Sequence, residues 1–202
     1  DNKDYASMTD QDPDKFKMIE YHKWKFKAKV FSPLAPISVK RTPVLMTRAE
    51  FGFLGTYNKH KRSPFETFYM GGDGMTGYSS TYATETIGLR GYENGSIAGN
   101  GGYSSYGYAY TRLSMELRYP FILEPSSTIY GLVFAEAGNA WTDMSNYNPF
   151  DLKRSAGVGV RIFLPMIGLM GIDWAYGFDE PNYGSSGKRS GSNFHFIIGQ
   201  EF

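Results

Sequence analysis

Asn193-Phe194-His195-Phe196-Ile197-Ile198-Gly199-Gln200-Glu201-Phe202 alternates apolar and polar side chains and stops on an aromatic residue at the end of the chain. With a period of two, Phe194, Phe196, Ile198 and Phe202 share one face, interrupted only by Gln200, while Asn193, His195 and Glu201 share the other. A tilted strand of this length crosses a hydrocarbon layer, for which ~9–11 residues suffice. An edge strand of a soluble sandwich would read the same way, so the decision rests on the rest of the chain.

The composition favours the membrane reading. Apolar residues make up 41% of the 202, low for a buried core, yet aromatics reach 17%, with 16 Tyr, 15 Phe and 24 Gly. Mean hydropathy is −0.40. That mixture suits short strands, glycine-rich turns and aromatic girdles at two interfaces. No run of ~18 apolar residues is present, which excludes a helical span; a barrel escapes such a scan because only alternate residues face lipid. Cysteine is absent, so there is neither a disulfide scaffold nor a thiolate metal site. A net charge of +1 argues against a nucleic-acid partner, which would call for a basic face. The start, Asp1-Asn2-Lys3-Asp4-Tyr5, is polar and lacks Met and a signal region, the mark of a mature chain or one cut from a longer precursor.

Working back from the terminus, six further segments alternate with period two: 169–178, 154–163, 129–141, 108–119, 44–55 and 23–31. The cleanest sets Tyr110, Arg112, Ser114, Glu116 and Arg118 against Thr111, Leu113, Met115, Leu117 and Tyr119. In the first, Lys23, Lys25, Lys27 and Lys29 lie opposite Trp24, Phe26, Ala28 and Val30. The lysines read as a lumen-facing or solvated row, with a phosphate-binding stripe as the sharper alternative. Residues 16–21 offer an eighth strand, and 1–22 otherwise read as a polar external loop or strand remnant ahead of a barrel portion over 23–202.

After the first connection, long and short linkers alternate, as they do when every second turn of an up-and-down barrel lies on the same side of the membrane. Pro120, Pro125 and Pro165 fall in the short ones, where a residue without an N–H ends a strand. The connection 56–107 is about fifty residues without evident secondary structure, and a loop so far above the usual ~4–6 is functional rather than idle.

That loop carries Phe68-Tyr69-Met70-Gly71-Gly72 and then Leu89-Arg90-Gly91-Tyr92. Together with 113–120, Glu136-Ala137-Gly138-Asn139-Ala140-Trp141, Ser155-Ala156-Gly157-Val158-Gly159-Val160 and the final Gly199-Gln200-Glu201-Phe202, they resemble, in order and spacing, the signature of the outer-membrane insertase family, which includes bacterial assembly factors and two-partner secretion transporters. The resemblance runs from about Tyr21 to the end. It implies an all-β, antiparallel up-and-down transmembrane barrel, of which this chain holds the C-terminal seven or eight strands of sixteen. The 56–107 loop is implied to be external and folded back into the lumen, with Arg90, Gly91 and Tyr92 at its tip.

An arginine inside a lumen is partly desolvated and needs carboxylates, since leaving it unpaired costs several kcal/mol. By the resemblance, Glu116 and Glu136 receive Arg90 through charge-assisted bonds. Glu136 departs from the family, where that acid is commonly Asp. The alternative leaves Arg90 exposed, with Glu116 pairing along its own strand with Arg112 or Arg118. Asp173 and Glu50 face the polar side of their strands with no partner identifiable from sequence.

The resemblance further implies a protein integral to the outer membrane of a Gram-negative bacterium. It would fold and insert nascent outer-membrane β-barrel proteins with accessory lipoproteins, in contact with outer-membrane lipid and using no cofactor. The closing strand, with Phe194, Phe196, Ile198, Gly199 and Phe202, would pair weakly with a first strand absent here and accept incoming strands by β-augmentation. Gly199, having no side chain to pack, would weaken it locally. Seven strands leave two open edges that lipid does not tolerate, so this portion should not close alone. A secretion pore of the same family is one alternative. A surface glycan-binding or adhesion barrel using Tyr103, Tyr106, Tyr108 and Tyr110 is another.

Enzyme signatures are missing. His22, His60 and His195 lack metal-ligand spacing, Gly71-Gly72-Asp73-Gly74 lacks the ending of a phosphate loop, and there is no Gly-x-Ser-x-Gly elbow.

Overall fold

The structure is a computed structural model that describes residues 7–9, 12, 15, 17–36, 38–39, 41–58, 60–74, 85–98, 106–124, 126–166, 168–183 and 187–199. Seven long strands form one antiparallel sheet: β1 (Tyr21–Pro33), β2 (Val44–Thr56), β5 (Ala109–Glu124), β6 (Ser127–Trp141), β7 (Lys153–Leu164), β8 (Gly168–Gly177) and β9 (Gly191–Ile198). Their order in space is their order in sequence, each paired with the next. The two remaining strands, β3 (Phe68–Met70) and β4 (Glu85–Ile87), form a separate parallel pair within the β2–β5 connection. Among the described residues no ladder joins β1 to β9, so the sheet has two free edges.

Alternation fixes which way each strand faces. Leu113, Met115 and Leu117 are exposed, while Arg112, Ser114 and Glu116 between them are buried. The same inversion runs through β9, where Phe194, Phe196 and Ile198 are 57–67% exposed and His195 and Ile197 are buried. Trp24, Phe26, Phe51, Phe53, Val158, Val160, Ile172 and Trp174 continue the exposed apolar face across the sheet. A water-soluble protein does not leave so wide an apolar face bare. The polar residues are the enclosed ones, which is the pattern of a barrel wall.

Several expectations are corrected. Residues 18–20 form no strand, and Tyr21 and His22 belong to β1, so there is no eighth strand among the described residues; Phe16 lies outside them. Pro120 lies inside β5 at a register shift between Pro120 and Ile122, not in the turn. A proline cannot donate to the ladder, and a bulge is where a strand tolerates that. The β5–β6 connection thereby shrinks to 125–126. The described residues of the 56–107 loop are structured, as β3, β4 and three isolated bridges show. Among the described residues the closing strand runs Gly191–Ile198, so it begins two residues earlier than expected. Gly199 follows it with φ +72°, in the left-handed region that favours glycine, and its N–H donates to Leu169 O of β8 at 2.7 Å. Gln200, Glu201 and Phe202 lie outside the described residues.

Candidate functional site

The described part of the β2–β5 connection folds as a plug against the inner face. Met70 N–H donates to Ala98 O and Gly71 N–H to Ile87 O, and Gly72 bridges Leu89, which brings three short segments side by side. Phe68, Met70, Ile87, Leu89, Tyr92 and Ile97 are all buried and pack on Leu54 of β2, Tyr110 of β5 and Ala140 of β6. The plug thus has its own apolar core, welded to the wall. Asn182 and Tyr183, in the long β8–β9 connection, bond Ile97 O and Ser96 O, so a second linker covers it. At the plug's entrance Glu66 is the one non-glycine among the described residues with positive φ, +64°.

The tip carries Arg90, which has no solvent exposure. One guanidinium nitrogen, Nη2, lies 2.5 Å from Glu116 Oε1 and 2.7 Å from Glu136 Oε1; Nη1 donates to Asp173 Oδ2 at 3.0 Å. The Arg90 backbone N–H donates to Glu136 Oε2 at 2.9 Å. The guanidinium also stacks over Phe134, 3.5 Å from the ring centre, a cation–π contact. Both Glu116 and Glu136 therefore meet Arg90, and Asp173, for which the sequence offered no partner, is a third acid at the same centre.

Each acid also has an arginine of the wall. Arg118 Nη2 lies 2.7 Å from Glu116, Arg112 Nη2 2.9 Å from Glu136, and Arg161 holds Asp173 through two bonds at 2.5 and 2.7 Å. The alternative pairing of Glu116 with Arg118 along its own strand coexists with the plug contact, because the two arginines use different carboxylate oxygens. Without Arg90 these three acids keep three guanidiniums of the wall, already matched; Arg90 is a fourth cation bridging pairs that do not depend on it. The Arg161–Asp173 pair is seated by Gly159, where an added Cβ would lie 1.8 Å from Asp173 Oδ1.

Gly91 and Tyr92 complete the tip. Gly91 has φ +86°, and a Cβ there would lie 2.8 Å from Ser155 Cβ and 3.0 Å from the Gly177 backbone nitrogen, so only glycine fits. The Tyr92 hydroxyl donates to Arg154 O at 2.7 Å, and burial pushes that phenol up to about 12. Of the closing-strand residues singled out, Phe194, Phe196 and Ile198 point away from the plug. Their inward neighbours, Asn193 and His195, meet Gly91 instead. Sequence periodicity placed both on the polar face and had no means of finding a partner about a hundred residues away.

The lysine row is occupied from the plug side. Glu85 of β4 lies 3.0 Å from Lys23 and from Lys25 and 3.5 Å from Lys27, and Glu66 lies 2.8 Å from Lys23. Burial alone would raise the Glu85 carboxyl, but hydrogen bonds from Lys23 and Lys25 outweigh it and hold the group below its ordinary range. A depressed carboxyl stabilises above its unfolded pKa and ceases to do so as pH falls through the folded one. Amide exchange in β1 is therefore expected to stay slow on acidification until the pH is below the usual glutamate range, then to quicken. Glu85→Gln should show the quick exchange at neutral pH, a loss of about 1 kcal/mol given the partial exposure of the lysines. A neutral-pH profile identical to wild type would remove Glu85 as the anchor of this row.

An antiparallel sheet apolar outside and charged inside, with one long connection folded back onto its inner face, defines a segment of a plugged barrel. The chain belongs to the Omp85 superfamily: the family's domain, described as the Omp85 superfamily domain, matches residues 13–202. Among solved structures it is similar to BamA from Haemophilus ducreyi lacking POTRA domains 1-3, with a TM-score of 0.57, 20% identity, and coverage of 88% of this chain and 35% of that one. The chain thus spans about a third of the length of that protein. No curated protein matches it.

Proposed function

We propose that this chain is the C-terminal wall and plug of an integral outer-membrane barrel that folds and inserts other outer-membrane proteins, and that it works without covalent chemistry or a cofactor. The observation that carries this reading is Arg90, borne on a plug and shared among three acids from β5, β6 and β8, beside a sheet whose last strand has a free edge. A cation bridging acids that keep their own wall partners is a reversible latch, since undocking it orphans no carboxylate. The edge of β9, which no strand pairs among the described residues, suits the capture of an incoming strand by β-augmentation. Nascent barrel proteins are the clients on this reading, with accessory lipoproteins and outer-membrane lipid as the other partners.

The test is a covalent tether in the full-length protein between Ile198 and the first strand of its barrel. Insertion of a client barrel into liposomes is expected to stop when the tether forms and to return when it is cleaved. Undiminished insertion by the tethered protein would exclude β9 as the working edge. The glycan-binding reading finds no support in the tyrosines it would need. Tyr106 and Tyr110 are buried, Tyr108 donates to Ser63 O at 3.0 Å, and Tyr103 lies outside the described residues.

A further inference from the structure

The tip of the plug is attached at three places, and only one of them involves the closing strand. Tyr92 donates to Arg154 O of β7. Arg90 is held by acids on β5, β6 and β8, while Gly91, among the described residues, is held by side chains of β9: its N–H donates to His195 Nε2 at 2.8 Å, and its C=O accepts from Asn193 Nδ2 at 2.9 Å. We propose that Asn193 and His195 act as a register clamp, positioning residues that fix the closing strand to the plug so that neither moves without the other. The proposal rests on reading β9 as the working edge and adds how that edge is governed.

Three observations carry it. The two residues are separated by one position, so both point inward, and their side chains bracket the N–H and C=O of a single glycine. That glycine is seated tightly against β7 and β8, where the wall leaves no room even for a methyl group. Most telling is what the alternation of β9 leaves undecided. A slip by one residue would turn Phe194, Phe196 and Ile198 inward and is forbidden, but a slip by two keeps every face as it is. After a two-residue slip the place of His195 is taken by Ile197 or Asn193. In one direction Gly91 N–H loses its acceptor to an aliphatic side chain, and in the other Asn193 is drawn off the carbonyl. Only the observed register satisfies both groups of Gly91.

The clamp also fixes a chemical state. An Nε2 that accepts from a backbone N–H carries no proton, so the His195 imidazole is neutral with its proton on Nδ1. A side chain that presents an acceptor at the same place should substitute for it, and glutamine does so through its amide oxygen. An aliphatic residue of similar bulk should not.

The experiment uses the full-length protein, rendered cysteine-free if other cysteines exist, in liposomes. Ser96→Cys is the reporter: Ser96 is buried in the plug, and cysteine is a near-isosteric replacement. Labelling of this cysteine by a maleimide reads plug release, and hydrogen exchange of the β9 amides reads the strand. His195→Leu and, separately, Asn193→Leu should each raise both rates by roughly tenfold, about the factor carried by one lost hydrogen bond. His195→Gln should return both to within about twofold of wild type, a rescue that a merely space-filling histidine would not require. The proposal is overturned if either rate stays at its wild-type value in both leucine variants, or if His195→Gln behaves like His195→Leu. Asn193→Leu keeps the test open should His195→Leu fail to fold. Neither rate depends on insertion, so loss of insertion with an intact clamp would count against the proposed function alone.

Discussion

Asp173→Ala is expected to cost the folded barrel roughly 3–5 kcal/mol, the range for removing one partner from a buried ion pair. Arg161 is 2% exposed, and both terminal nitrogens of its guanidinium bond this one carboxylate, with only the Val160 carbonyl as a further acceptor in the described contacts, so the substitution strands a buried cation with no second acid there. Arg90 loses one of its three acids at the same stroke. Urea unfolding of the full-length protein in detergent, followed by heat-modifiable migration, reads the change. Asp173→Asn should recover little, since an amide restores hydrogen bonds but not charge. A midpoint within error of wild type for Asp173→Ala would mean that Arg161 is solvated there and that the centre is wetter than its burial implies.

Arg90→Ala should behave differently. Glu116, Glu136 and Asp173 keep Arg118, Arg112 and Arg161, so no carboxylate is orphaned. What is lost is a set of charge-assisted bonds, each worth ~1.5–3 kcal/mol and not additive, for an expected total of about 3 kcal/mol. The loss falls on docking of the plug, not on the wall. Limited proteolysis should nick the β2–β5 connection while the strands still resist denaturant, and insertion should fall. Arg90→Lys should rescue poorly, because a single ammonium cannot reproduce a planar fork shared among three acids. Plug nicking at the wild-type rate in Arg90→Ala would remove the latch. Wall and plug failing together would show that the two are a single unit rather than a body and its catch.

What the sequence disclosed follows the range over which its signals act. Period two is local, so all seven wall strands were legible, and β5 most plainly, from Tyr110 to Tyr119. β3 and β4 were not, because three residues make too short a sample for any period and their pairing is with each other inside a loop. Pro120 misled because proline signals the end of a ladder and a bulge satisfies the same constraint mid-strand. At the site, Arg90, Glu116 and Glu136 were named through a resemblance, whereas Asp173, Arg161, Asn193 and His195 were only residues on a polar face. Their partners lie 83, 12, 102 and 104 positions away, and of these only the Arg161–Asp173 spacing falls within one hairpin. Glu85 was hidden in the same way, since nothing near it in sequence indicates three lysines on β1.

Glu66, at the doorway of the plug, has a consequence for how the plug leaves. A residue with a Cβ held at φ +64° sits roughly 1–2 kcal/mol above its relaxed backbone, and here the Lys23 ammonium, 2.8 Å from its carboxylate, keeps it there. Docking therefore winds a small spring in the same chain that the Arg90 latch fastens. On the proposed latch, release of this strain would favour departure, and ejecting the plug would demand less work than the contacts at its tip suggest.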